Sequence, residues 1–334
     1  MTLSPNRDRV TILYMKKKIK IAVLFGGPSS EHEVSLASGA NIVRALRTGE
    51  NARRYQVMPI RFREPEELLK KLVGKKFANN KIDCVFPVLH GKFGEDGTLQ
   101  ALLETLGLPY VGCGVLASAL CMDKVLSSEL VAGLGMKVPN KLGPSLLTAS
   151  KGHSRGRPNL LWHQAVVKPR FGGSSVGVSV VKSNKELASA IKKASKEGEV
   201  LVQKYLQGRE FTCGVFEFEN GKPFALPVTE IVPKSEFFDY KAKYTKGGSD
   251  EICPAQIPAK LTHEIQSAAL LAHKTLGCRH ISRSDFIFSK NRLYYLETNT
   301  MPGMTNTSLV PQAAAVAGIS MPDLTHRLAQ SSLI

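Results

Sequence analysis

Residues 283–299 read RSDFIFSKNRLYYLETN: two β-rich apolar runs separated by the polar segment Ser289 to Arg292, the pattern of a β-hairpin. A turn centred on Asn291 sets Asp285 opposite Glu297 and Arg283 opposite Asn299. Strand side chains alternate between faces, so all four then share one side of the sheet. Two carboxylates and an amide oxygen gathered there suit Mg²⁺, a hard ion that takes oxygen ligands and completes its shell with water and phosphate oxygens. The same spacing fits a salt-bridged, solvated hairpin face, and both readings stay open at this point.

The segments upstream of the hairpin fall into groups. Lys18 to Phe25 (KIKIAVLF) is a buried-strand candidate that stops at Gly26-Gly27-Pro28 and is followed by helical spacing from Val34 to Leu46. Ile82 to Leu89 (IDCVFPVL) repeats the pattern and runs into His90-Gly91-Lys92-Phe93-Gly94-Glu95-Asp96-Gly97, where Asp96 can cap a helix from Thr98 to Leu106. With a short strand at Pro109 to Gly114, residues 18–114 read as a parallel α/β domain whose ligand groups lie beyond strand carboxyl ends. Helical spacing covers Ala117 to Leu134, and a basic Gly/Pro loop follows at Thr148 to Asn159. Strands at Ala165 to Lys168, Val176 to Val181 and Val200 to Tyr205, with a helix at Lys185 to Lys196, predict a small antiparallel lobe within residues 115–205. Residues 206–334 carry further strands (Phe211 to Phe218, Ala225 to Val232, the hairpin) and a helix at Thr262 to Leu276, an α+β unit.

The chain has 334 residues, 43% hydrophobic and 22% charged, enough for two or three globular domains and unlike a disordered or coiled-coil chain. Its 45 Lys+Arg against 28 Asp+Glu give +17, a field that favours anionic partners such as nucleotides, nucleic acid or anionic membrane surfaces. Five of those net charges sit in the first twenty residues, and Met15 precedes Lys16-Lys17-Lys18, so residues 1–17 are expected to be a disordered basic leader. Six cysteines show no C-x-x-C pair, which argues against a disulfide framework or zinc knuckle. No apolar run approaches the length of a membrane helix or a signal-peptide core, so the expectation is a cytoplasmic protein with no membrane partner.

Phe171 to Gly177 (FGGSSVG) lies between two strands, where small residues let backbone N–H groups close over phosphates. It is not a P-loop, for no G-x-x-x-x-G-K-[ST] occurs. Its G-x-S-x-G match at Gly173 to Gly177 raises a serine hydrolase built on Ser175, but strand rather than helix should follow it. Taken alone, the segment reads first as an ordinary flexible hairpin turn. Lys168 ends an apolar strand before Pro169, where a buried charge needs an anionic partner. His90, at a strand end beside Gly91, is placed to touch a ligand or to hold a structural hydrogen bond. Gly112-x-Gly114-x-x-Ala117 resembles a dinucleotide fingerprint but lacks the acidic residue about 20 positions on. A nucleic-acid binder is disfavoured because aromatics are only 7% and none cluster with the basic residues.

The pieces stand in an order that resembles the D-alanine:D-alanine ligases of the ATP-grasp superfamily. The likeness runs from Ile21 to Pro311 through GGPSSEHEVSL (from Gly26), HGKFGEDG (from His90), MDK (from Met122), VKPRFGGSSVG (from Val167), GREFT (from Gly208), FFDYKAKY (from Phe237), SRSDF and LETNTMPGMTNTSLVP. It implies an N-terminal Rossmann-like domain followed by a two-lobed ATP-grasp module. By the resemblance, Lys124, Lys168 and the backbone near Ser174 and Ser175 hold ATP phosphates, Gln203, Lys204 and Leu206 line the adenine pocket, and Glu210 takes the ribose. Gln203 stands where the family generally has glutamate, which puts nucleotide choice or affinity in question. Asp285, Glu297 and Asn299 hold two Mg²⁺ ions, with Mn²⁺ able to substitute. Glu31 receives the first D-alanine's ammonium in a network with Ser174 and Tyr244, and His90 lies close by. Lys243 reaches the γ-phosphate, Arg283 and the Gly303 amide stabilise the acyl centre, and Ser308 with Leu309 bind the second substrate's carboxylate. The implied reaction joins two D-alanines through a D-alanyl phosphate for peptidoglycan precursors, hence cell-wall synthesis and cell shape, in a homodimer. A D-alanine:D-lactate ligase or another ATP-grasp carboxylate-amine ligase is the alternative, and Tyr244 favours D-alanine as second substrate.

Overall fold

Strand β1 (Ile19–Gly26) alternates apolar residues to two buried faces, Ile21 and Val23 to one core and Ala22 and Leu24 to another, as a central parallel strand must. The computed structural model describes residues 17–74, 81–142, 164–173, 176–217, 221–233 and 249–333. After β1 come α1 (His32–Leu46), α2 (Asn51–Arg54), β2 (Tyr55–Phe62), α3 (Pro65–Val73), β3 (Cys84–Val88) and α4 (Thr98–Thr105). The three strands form a parallel sheet in the order β2-β1-β3. Sequence reading did not predict β2 or α3. β2 carries Pro59 and exposes Gln56 and Arg61, a pattern tolerated because β2 is an edge strand. Asp96 does serve the start of α4, accepting from the Thr98 amide at 3.0 Å, while its other oxygen takes the Phe93 amide at 2.7 Å. The strand expected at Pro109 to Gly114 reduces to a single bridge from Tyr110 to Val85.

The helix predicted over Ala117 to Leu134 is two helices, α5 (Val115–Met122) and α6 (Lys124–Gly133), broken at Asp123. Asp123 leaves helical geometry and caps α6, its carboxylate accepting from the Val125 and Leu126 amides at 3.0 and 3.1 Å. Both helices pack on the large sheet, Cys121 and Val131 sharing a core with Phe286 and Tyr295. The connection after α6 joins the small sheet over Asn140 to Leu142: the Asn140 carbonyl accepts from the Lys204 amide, Lys141 bridges Gln203, and the Leu142 amide donates to the Val202 carbonyl.

The small sheet is antiparallel, in the order β5-β4-β6, from β4 (Ala165–Pro169), β5 (Ser179–Val181) and β6 (Val200–Lys204), with α7 (Asn184–Ala194) covering one face. The large antiparallel sheet comprises β7 (Arg209–Glu217), β8 (Pro223–Ala225), β9 (Thr229–Pro233), β10 (Ser249–Ile252), β11 (Ile281–Ser289) and β12 (Arg292–Asn299). The single strand expected over Ala225 to Val232 is interrupted at Leu226-Pro227-Val228, where proline lacks a ladder donor. α8 (Ala259–Thr275) packs on one face of this sheet. The chain closes with α9 (Leu309–Val316) and α10 (Met321–Ser331), whose Val310, Leu324 and Leu328 share a core with Ile21 and Val23 of β1. The last helices therefore fasten the C-terminal unit to the first sheet. The expected sequence of a parallel α/β unit followed by two antiparallel lobes is the observed one.

Candidate active site

The β11–β12 hairpin pairs Asp285 with Glu297 and Arg283 with Asn299, as its pattern predicts, but by a different route. The turn is the two residues Lys290 and Asn291, both at positive φ (50° and 57°), the geometry that a two-residue hairpin turn needs. Ser289 thus faces Arg292 and Phe286 faces Tyr295, a register that alone would set Leu296 against Asp285. A bulge leaves Leu296 without a partner and moves Glu297 into place. On the neighbouring positions of the opposite face, Ser284 and Thr298 hydroxyls bond at 2.8 Å.

Two cavities meet beside this hairpin. The first, of about 370 Å³, lies between the small and large sheets, and the second, of about 460 Å³, lies between the large sheet, the N-terminal unit and the start of α9. Both sizes fall in the range of small-molecule sites. Gly173 lines both. The first cavity has a slot of apolar walls (Val166, Val180, Leu206, Ile287, Leu296) and, on its polar walls, Lys124, Lys168, Gln203, Lys204, Glu210, Asp285 and Glu297. The second gathers Glu31, His90, Arg283, Asn299, Gly303, Ser308 and Leu309. Every described residue that the resemblance singled out therefore lies on one of these two walls. Ser174, Ser175, Lys243 and Tyr244 lie outside the described residues, as do the Thr148 to Asn159 loop and the leader up to residue 16.

The local electrostatics follow from burial. Desolvation lowers the Lys168 ammonium to about 8; Glu297 and Glu210 oppose that shift, and Lys124 adds to it. A site that holds two lysines so close is built for an anion. Lys124 Nζ lies 3.5 Å from Glu297 Oε2 and donates to the Gly172 carbonyl. Arg283 grips Asp285 with a two-pronged contact, Nε to Oδ1 and Nη2 to Oδ2, both at 2.9 Å. Thr212 Oγ1 donates to Oδ1 at 2.6 Å and Asn299 Nδ2 to Oδ2 at 3.3 Å.

Among the described residues no three His, Cys, Asp or Glu side chains cluster as a metal cage. The hairpin still fits a hard divalent ion, because Asp285 and Glu297 are cross-strand neighbours on the first cavity's wall and Asn299 adds a further side-chain oxygen. The Asn299 amide makes the longest of these contacts to Asp285, so it is the easiest for a cation to displace.

In the second cavity Glu31 is buried close to the backbone of two glycines. A Cβ on Gly91 would come within 2.9 Å of Glu31 Oε2, and one on Gly173 within 3.2 Å. Ser308 occupies the N-cap position of α9 without a side-chain cap bond, and with Leu309 it lines the cavity, so the start of a helix borders this space, a setting suited to a carboxylate. His90 is buried with Nδ1 at 2.9 Å from the Met301 carbonyl.

Sequence reasoning missed two members. Glu95 lines the second cavity, and burial raises its carboxyl to about 7; the Glu31 charge adds to this, while the Gly91 and Met301 amides and Arg283 oppose it. Arg170 holds Asp123 with Nε–Oδ1 at 2.9 Å and Nη2–Oδ2 at 2.5 Å, fixing the cap from which Lys124 springs. Burial pushes the Asp123 carboxyl up, but Arg170 and the two cap amides outweigh it and hold the group below the usual range. The signals were present as an acid inside a glycine-rich strand-end loop and an aspartate directly before a helix. Arg170→Ala leaves Asp123 buried without its cation and should cost about 3 kcal/mol of unfolding free energy, measured by urea titration. A loss under 0.5 kcal/mol, the size expected of a surface pair, would show that Asp123 is held by the cap amides alone.

Comparisons with known proteins agree with this geometry. The sequence models described as "D-ala D-ala ligase N-terminus" and "D-ala D-ala ligase C-terminus" match residues 20–72 with 63–113 and residues 158–330. The D-alanine–D-alanine ligase of Syntrophobacter fumaroxidans is 44% identical over 326 residues, spanning 95% of this chain and 98% of its own. Among solved structures, that of the Bacillus anthracis D-alanine–D-alanine ligase complexed with ATP superposes with a TM-score of 0.78 at 34% identity, covering 95% of this chain and 97% of its own. A D-Ala:D-Ser ligase from Enterococcus faecalis gives 0.75 at 32% identity, covering 93% and 98%. On these matches and on the two-cavity architecture, the chain belongs to the D-alanine–D-alanine ligase family.

Proposed function

We propose that this protein joins two D-alanines into D-alanyl-D-alanine with ATP, through a D-alanyl phosphate, to supply peptidoglycan precursors. The observation that carries the reading is the junction at Gly173: a cation-rich cavity that suits a nucleotide opens there into a cavity that suits two small zwitterions. A carboxylate is a poor electrophile until it is phosphorylated. Phosphoryl transfer asks the protein mainly for positioning and charge neutralisation. Lys124 and Lys168 hold the phosphates, Lys204 and Leu206 the base, and Glu210 the ribose. Gln203, buried on the same wall, presents an amide that can bond an exocyclic amine.

Glu31 takes the first alanine's ammonium, leaving its carboxylate to attack the γ-phosphorus while ADP departs. The second alanine sits with its carboxylate at the α9 start, Ser308 and Leu309, and its free amine attacks the acyl carbon. The tetrahedral oxyanion rests on Arg283 and the Gly303 amide, then collapses with release of phosphate and a proton. Asp285, Glu297 and Asn299 would hold Mg²⁺, which when bound neutralises phosphate charge. The reading also includes a cytoplasmic homodimer, checked by sedimentation.

An ATP-dependent condensation assay tests it. Phosphate release should require D-alanine and a divalent cation, and dipeptide should form with D-alanine in preference to D-lactate or D-serine as second substrate. Equal turnover with L-alanine would refute the reading.

A further inference from the structure

The segment joining β12 to α9 carries the Gly303 amide and runs from Thr300 to Ser308 without helix or strand. Pro302 fixes its own φ and Thr305 bonds Ser308, but these constrain the segment only locally. It is anchored to the N-terminal unit through two peptide groups on either side of Gly303. The Met301 amide donates to Glu95 Oε1 at 3.0 Å, and the Met301 carbonyl faces His90 Nδ1 at 2.9 Å. The Met304 amide donates to Ser38 Oγ at 3.1 Å, and the Met304 carbonyl accepts from Asn41 Nδ2 at 2.8 Å. Both polar groups of both methionines are thus taken, and all four side chains are buried. Between them, among the described residues, the Gly303 amide donates to no protein acceptor, and Gly303 lines the second cavity.

The proton order in this clamp is determined. A carbonyl only accepts, so His90 Nδ1 carries the proton toward Met301. In the neutral ring Nε2 is then an acceptor, and Ser38 Oγ, 3.3 Å away, donates to it while accepting from the Met304 amide. The chain Met304 N–H to Ser38 to His90 to Met301 C=O closes a loop around Gly303, each group using its donor once. Ser38 and Asn41 lie three residues apart on α1, so one helical face presents both to the strap.

We infer that Ser38 and Asn41 are positioning residues: with His90 and Glu95 they hold the Met301–Met304 strap so that the Gly303 N–H is aimed at the oxyanion that forms when the acyl carbon is attacked. The inference rests on the ligation reading. It assigns the N-terminal unit a role in the second chemical step in addition to substrate binding. Misplacing an oxyanion donor by about 1 Å costs on the order of 10²-fold in rate.

Asn41→Asp is the sharpest test, because it keeps shape but sets an acceptor against the Met304 carbonyl. Dipeptide kcat should fall about 30-fold or more while KM for ATP changes less than about twofold. ADP formed per dipeptide should rise above one, as acyl phosphate that is not captured escapes and hydrolyses. Ser38→Ala should behave likewise, and Ser38→Thr, which keeps the hydroxyl, should recover most of the loss. If Asn41→Asp fails to fold, the Ser38 pair decides alone. Unchanged kcat and stoichiometry in folded variants overturn the inference, as does a parallel loss in kcat and in KM for ATP. No dipeptide from the wild-type protein would instead overturn the ligation reading.

Discussion

Glu297→Ala should abolish measurable ligation, a loss of at least about 10³-fold in kcat, while leaving the fold intact. Glu297 lies on the wall of the nucleotide cavity rather than in a core, and its side chain is 23% exposed, so its truncation leaves no large void. What it removes is electrostatic. Glu297 is the carboxylate 3.5 Å from Lys124 and the first to counter the burial of Lys168. It is also one of the two acids expected to hold the divalent cation. These roles predict opposite effects on two measurements. Turnover with Mg²⁺ collapses, because charge on the transferring phosphoryl group is no longer neutralised. Binding of ATP in the presence of a chelator is retained or strengthened, because the two lysines lose a competitor for the phosphates. Calorimetry with and without chelator, alongside steady-state assays and thermal melts, checks both. Retained activity would show that the metal assignment is wrong, whereas ATP binding lost in chelator would mean that Glu297 supports the lysines rather than a cation.

The alternation of Arg283, Asp285, Glu297 and Asn299 was legible because a strand has period two and both runs are long. The turn centre lies half a residue before Asn291, and the predicted pairing of Asp285 with Glu297 holds because the Leu296 bulge makes up the difference. A bulge adds one residue without changing composition, so no single-sequence pattern reveals it. β2 was hidden for a different reason. An edge strand tolerates Pro59 and exposed charge, and these mimic loop signals. At Asp123 the helical periodicity on both sides outvoted one capping residue. Ser38 and Asn41 share a deeper obscurity. A buried polar residue is recognised only by its partner, and theirs, Met304, lies more than 200 positions away. Lysines, acids and glycines at strand ends announce ligand contact by type and place, while the residues that hold those groups still do not.

Arg283→Lys should reduce kcat by about 10² to 10³, although it conserves the charge. The guanidinium is buried and meets Asp285 through two nitrogens at equal 2.9 Å distances, leaving its remaining N–H groups fixed in direction on the second cavity's wall. A lysine ammonium is a point charge on a flexible stem. It can reach Asp285 or the oxyanion, but it cannot hold both directions at once. Turnover is therefore expected to suffer more than binding, with KM for ATP within about threefold of wild type. Arg283→Met separates charge from geometry. It strands the buried Asp285 carboxylate beside Thr212 and Asn299 and should cost about 3 to 5 kcal/mol of stability, against about 1.5 to 3 for the lysine variant. If geometry dominates, the two variants lose kcat to within about tenfold of each other while differing clearly in urea midpoint. If the lysine variant keeps wild-type turnover, charge alone serves the acyl centre, and aiming the oxyanion then falls to the Gly303 amide and to the strap that carries it.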